Sequence, residues 1–70
     1  MSEQNIAFNV EGITSNESAE SLKNSLNMLN GVIEVIIDIK AKRVAVEYDE
    51  ERLSDETIKG TIEDAGFEVK

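Results

Sequence analysis

An α+β fold of order βαββαβ, with two helices on one face of a four-stranded antiparallel sheet, is what this sequence predicts. Three observations lead there. Apolar and polar residues alternate over residues 4–10 and 43–48, and a β-branched run fills 32–39 between them. Two further stretches carry apolar residues at helical spacing, each behind a serine suited to capping. Gly12, Gly31 and Gly66 stand at the seams between these stretches.

The elements follow in order. Ile6, Phe8 and Val10 alternate with Ala7 and Asn9, the period-2 pattern of a half-buried strand. Gly12 lets the chain turn. Thr14 and Ser15 both suit an N-cap, and Thr14-x-x-Glu17 has capping-box spacing. A helix then runs to about residue 29, with Ala19, Leu22, Leu26 and Leu29 on one stripe. Asn30-Gly31 stops it, the glycine serving as left-handed cap. Met28 lies off the stripe and reads as a gap-filler.

Residues 32–39 form the second strand, with Val35, Ile36, Ile37 and Ile39 favouring extended backbone. Lys40-Ala41-Lys42 makes the turn, and Val44, Val46 and Tyr48 share one face of the third strand. Ser54 caps a second helix with Asp55 and Glu56 in its first turn, where the helix dipole favours acids. Leu53, Ile58, Ile62 and Ala65 give that helix its inner face, Gly66 ends it, and 67–69 make a last short strand. This order is the ferredoxin-like arrangement, a split βαβ used twice. The expected core is Ile6, Phe8, Val10, Leu22, Leu26, Val35, Ile37, Val44, Val46, Ile58 and Ile62.

One domain over residues 1–70 is the expectation. A chain of this size buries roughly 60% of its unfolded surface, which leaves little room for an enclosed active site. Fifteen acidic residues face seven basic ones, for a net charge of −8. That disfavours nucleic acid, whose binding rests on Lys and Arg neutralising phosphates. Lys40, Lys42 and Arg43 cluster at one hairpin with no aromatic interleaved, which reads as a solvated turn. The acidic excess favours solubility and a partner with a basic surface. There is no cysteine, hence no disulfide. The first residues, Met1-Ser2-Glu3-Gln4, have neither a basic nor an apolar signal region, and no apolar run approaches the ~18 residues of a membrane span. The expected compartment is the cytoplasm, without membrane insertion.

A set of motifs recurs along nearly the whole chain, from about residue 6 to 69. Asn30-Gly31-Val32 follows the first helix. Val35-Ile36-Ile37-Asp38-Ile39 and Lys42-Arg43-Val44-Ala45-Val46-Glu47-Tyr48-Asp49 form the central hairpin. The tail holds Ile62-Glu63-Asp64-Ala65-Gly66-Phe67-Glu68-Val69. In this order the motifs resemble those of the heavy-metal-associated domain of copper chaperones and of copper-transporting P-type ATPases. Where that family carries G-M-T-C-x-x-C, this chain has Gly12-Ile13-Thr14-Ser15-Asn16-Glu17-Ser18.

The resemblance implies a site at the β1–α1 loop. In the family two thiolates there hold Cu(I), helped by the helix N-terminus, which lowers thiol pKa values. It therefore points to Ser15 and Ser18 as the metal positions, with Ile13, Thr14 and Phe67 as loop neighbours. Phe67 stands where chaperones tend to have tyrosine and ATPase domains often phenylalanine, and in the family that ring lies beside the loop. Soft Cu(I) selects thiolate and thioether ligands, and Zn(II) takes thiolate or imidazole. A serine hydroxyl is hard, neutral and weak, and this chain has neither cysteine nor histidine. Met1 and Met28 are its only soft atoms. No cofactor is expected, Cu(I) being implied by the family alone. Read from the residues themselves, Ser15 and Ser18 are helix-cap and first-turn residues. Glu11, Glu17 and Glu20 lie nearby, but spread along a surface rather than converging as a calcium loop does.

Catalysis has little support. There is no His, no Cys and no phosphate-cradling loop, and acylphosphatases of this fold class need a first-loop arginine that is absent between Met1 and Asp38. The leading expectation is a metallochaperone-like domain with a degenerate site, acting as a docking or regulatory module. The resemblance implies a docking surface made of the β1–α1 loop and both helices, and a metal-transporting P-type ATPase domain as partner. Two alternatives stay open. One is an ordinary copper-binding carrier, with ligands from a partner or from a cysteine-bearing parent. The other is a small-molecule sensor.

Overall fold

The computed structural model describes residues 3–70. Six elements follow one another: β1 (Glu3–Glu11), α1 (Asn16–Asn27), β2 (Val32–Asp38), β3 (Arg43–Asp49), α2 (Asp55–Asp64) and β4 (Glu68–Val69). The strands form one antiparallel sheet in the order β2-β3-β1-β4. This is the expected ferredoxin-like βαββαβ fold.

The register explains the core. Ile6 pairs with Val46 and Phe8 with Val44, while Val35 and Ile37 pair with the same two valines from the other side. Directly opposed residues share a sheet face, so these six side chains line the face the helices cover. Val44 and Val46, on an inner strand, are almost wholly buried. Leu22 and Leu26 of α1 and Ile58 and Ile62 of α2 close over them with no exposure at all. Ile6, Phe8 and Ile37, expected in the core, are only half-buried at its margin. Two short helices cannot cover every inward position of four strands, the surface-to-volume limit of a small domain.

β2 departs from simple alternation. Val32 pairs with Tyr48 and Glu34 with Glu47, so one extra residue, Ile33, bulges from the strand. Inward positions therefore run Val32, Val35, Ile37, and Ile33 is half exposed. Ile39 falls outside the strand, in a turn where Lys42 adopts φ 55° and donates its N–H to the Ile39 carbonyl at 3.2 Å.

The helix ends correct several expectations. The cap of α1 is Ser15, with extended backbone, so Thr14-x-x-Glu17 is not a capping box. The helix stops at Asn27 with Met28 as C-cap, two residues earlier than its apolar stripe suggests. Gly31 is thus not the cap glycine. It lies in the link to β2, where its carbonyl accepts the Asp49 N–H at 2.9 Å. Met28 is no gap-filler: it is 86% exposed. It comes six residues after Leu22, about 240° around the helix from the buried stripe. Met1 lies outside the described residues.

In α2 the cap is Ser54, as expected, its hydroxyl accepting the Thr57 N–H at 3.3 Å. Ala65 is exposed rather than inward, because it is the C-cap where the helix already unwinds. Gly66 follows at φ +98°. Its N–H bonds the Glu63 carbonyl at 3.0 Å, and the Phe67 N–H bonds that of Ile62 at 3.3 Å. This pair of bonds is a Schellman motif, for which a left-handed glycine is suited. It aims the chain into β4, where Val69 pairs with Val10. No helix among the described residues is long and apolar enough to cross a membrane.

Candidate functional site

The chain leaves β1 at Glu11 and reaches α1 through Gly12, Ile13, Thr14 and Ser15. Gly12 has φ +105°, a conformation that a side chain disfavours. A Cβ there would stand 3.3 Å from Cδ1 of Phe67. The Phe67 ring is therefore packed directly against the loop, where the resemblance places it. Ile13 turns inward and is 3% exposed, joining the core beneath the loop. It anchors the loop from below. Thr14 stays exposed.

Ser15 and Ser18 come together. Their hydroxyl oxygens lie 2.8 Å apart, and Ser15 Oγ also accepts the Ser18 backbone N–H at 3.2 Å. The Ala19 N–H bonds the Ser15 carbonyl at 3.1 Å, closing the first helical turn. These two side chains do what N-cap and N3 residues do: they satisfy a helix terminus.

The arrangement does not fit a soft metal. The two hydroxyls are bonded to each other at 2.8 Å. The donors are wrong in kind, since neither hydroxyl supplies the negative, polarisable ligand that Cu(I) selects. Nor do carboxylates substitute. Among the described residues, no group of three acidic, Cys or His side chains is placed to hold an ion. Glu17 lies in the first turn of α1, where it complements the helix dipole. Glu11 pairs with Lys42, Nζ to Oε1, at 3.4 Å.

Nothing in the sequence signals that last contact. It ties the end of β1 to the β2–β3 turn, beside a 2.8 Å bond from the Val10 N–H to the Lys42 carbonyl. The partners are 31 residues apart, a separation at which no periodicity or motif couples them. Glu17 and Glu20 are exposed on α1. With Glu11 they spread acidic charge across the loop and the start of the helix.

Known proteins share this fold. Residues 7–68 match the family model of the heavy-metal-associated domain. The copper chaperone CopZ of Staphylococcus haemolyticus (strain JCSC1435) is 39% identical over 66 residues, covering 94% of this chain and 97% of its own. A solved CopZ metallochaperone superimposes with a TM-score of 0.93 at 27% identity, over 96% of this chain and 100% of that one. A copper binding domain from HMA7, a P-type ATPase, gives 0.90 at 33% identity, over 94% and 89%. The motif set, the βαββαβ sheet and the packed β1–α1 loop all lead to one conclusion: this chain belongs to the heavy-metal-associated domain family.

Proposed function

We propose that this chain is a heavy-metal-associated domain without a soft-metal site, serving as a docking or regulatory module of the cytoplasm. One observation supports this above others. The loop scaffold is kept, with Ile13 buried beneath it and Phe67 against Gly12, while the two ligand positions hold hydroxyls bonded to each other at 2.8 Å. A retained surface without its cargo chemistry is what a partner-recognition role needs. The partner is a protein with a basic surface, and a metal-transporting P-type ATPase domain is the leading candidate. Docking runs through the β1–α1 loop and the helices, with Glu11, Glu17 and Glu20 facing the basic patch. Charge complementarity of this kind acts mainly on the association rate.

The second reading is an ordinary copper carrier whose missing ligands come from a partner. The 39% identity to a copper chaperone favours it. Competition for Cu(I) against a chelator separates the two. On the first reading the chain alone fails to hold Cu(I), and Ser15→Cys with Ser18→Cys together creates binding, while either change singly does much less. Tight one-to-one binding by the unmodified chain would end the docking-only reading. A folded double-cysteine variant that gains nothing would show that the loop backbone, and not only its ligands, has diverged.

A further inference from the structure

The free edge of β2 offers a second interaction surface, distinct from the β1–α1 loop. Sheet order leaves β2 with one unpaired side along seven residues. In an antiparallel pair, alternate residues point their N–H and C=O groups away from the neighbour, so this side presents backbone donors and acceptors to solvent. β4 is also terminal in the sheet but only two residues long. A groove of about 410 Å³ runs between this edge and α1. Ala19, Val35 and Ile37 form its apolar floor, and Glu20 and Glu34 lie on its rim against one Lys23. Ile36 stands beside it 59% exposed, a large apolar side chain with no cover of its own.

We propose that this edge takes an extended cationic segment of a partner protein as an added strand, seated in the α1–β2 groove. Backbone bonds would supply the pairing. Alternate side chains would divide between the two faces of the sheet: apolar ones over the floor of Val35 and Ile37, and cationic ones beside Glu34 and Ile36 on the face away from the helices, with Glu20 adding negative charge from the α1 side. That is the division of labour in strand-addition recognition, where main-chain bonds give affinity and alternate pockets give specificity.

Charge selects this occupant over a second copy of the chain. A two-fold edge-to-edge pairing centred on Ile36 would set Glu34 opposite Asp38 at both ends. Like charges directly opposed on a sheet are destabilising. Each copy also carries a net −8. A lysine-bearing strand meets neither objection. The proposal does not rest on docking at the loop: its pairing edge, with Glu34 and Ile36, belongs to β2, and of the acidic residues named for the docking surface only Glu20 also lines this groove.

The test uses the intact chain and a synthetic seven-residue peptide of alternating Lys and Val, followed by amide NMR. The expected result is saturable shifts confined to β2 and the facing side of α1, with slowed exchange of alternate β2 amides. Glu20→Lys with Glu34→Lys should weaken binding by at least about tenfold, since both rim charges then repel the peptide. The same peptide N-methylated at alternate residues should bind far less, because it lacks the donors. Equal binding of the methylated peptide, or shifts centred on residues 12–18 and α2, would overturn strand addition at this edge. So would a dimer of the free chain that Ile36→Lys dissolves, since the occupant would then be a second copy.

Discussion

Ser15→Ala and Ser18→Ala should differ sharply, and the difference tests what these two serines do. If they are cap residues, only one of them matters much. Ser15 Oγ accepts the Ser18 N–H at 3.2 Å and contacts the Ser18 hydroxyl at 2.8 Å. Removing it strips an acceptor from the helix terminus, at a cost of about 1 kcal/mol, within a range of ~0.5–2. Removing the Ser18 hydroxyl leaves that cap bond in place, because the Ser18 N–H still reaches Ser15 Oγ. The loss is then one exposed hydroxyl pair, within about 0.5 kcal/mol. At about 2.1 cal/mol/K per residue, 70 residues give an unfolding entropy of about 0.15 kcal/mol/K. Ser15→Ala should therefore lower Tm by about 7 °C, and Ser18→Ala by about 3 °C or less. Ser15→Asp, which caps as well as serine, should recover most of the loss. Thermal unfolding followed by far-UV circular dichroism reads all three. A larger loss for Ser18→Ala, or no recovery with aspartate, would refute the cap assignment.

Other expectations follow from the same structure. Leu26→Ala empties a position with no exposure and should cost ~2–5 kcal/mol, measured by urea unfolding. Total stability of such a chain is on the order of 4–10 kcal/mol, so this variant sits near the limit of folding. Gly12→Ala should cost ~1–3 kcal/mol, since φ +105° is strained for alanine and the new methyl meets Phe67. Phe67→Leu in that background should return little of it, because the backbone strain remains; a full rescue would mean that the ring contact, and not the backbone, carries the cost. Moderate NaCl should raise Tm. The ion pairs include Lys42–Glu11, Arg52–Asp49 and Lys70–Glu68, all at least partly open to solvent and weak, so screening mainly relieves the repulsion of eight excess negative charges. A fall in Tm with salt would mean that specific pairs outweigh it. Charge reversal at Glu17 and Glu20 should slow association with a basic partner, read by stopped-flow at low salt; an unchanged rate would move that interface elsewhere.

The residues by themselves determined the order of elements, most of the inward face of the two helices and the first three strands, and the family motifs. These are local properties. Ile6, Phe8 and Val10 alternate whatever they later touch, and Ser54 with Ile58 and Ile62 describes a capped, one-sided helix within eleven residues. The chemistry of the loop was equally legible, because a chain without cysteine or histidine lacks thiolate and imidazole in any conformation.

Tertiary structure decided what depends on distant partners. Two adjacent residues, Thr14 and Ser15, could each cap α1, and local spacing favoured neither decisively. Ser15 is the cap in the fold where Ile13 is buried and Gly12 meets Phe67, a residue near the other end of the chain. The bulge at Ile33 depends on how β2 aligns with β3, and the exposure of Ile36 on which face of the sheet the helices leave uncovered. The Glu11–Lys42 pair needs the β2–β3 turn folded back on β1. The contact between the Ser15 and Ser18 hydroxyls needs the helix begun at one particular residue. Each is a matter of register between segments far apart in sequence, and register is settled by packing rather than by local preference.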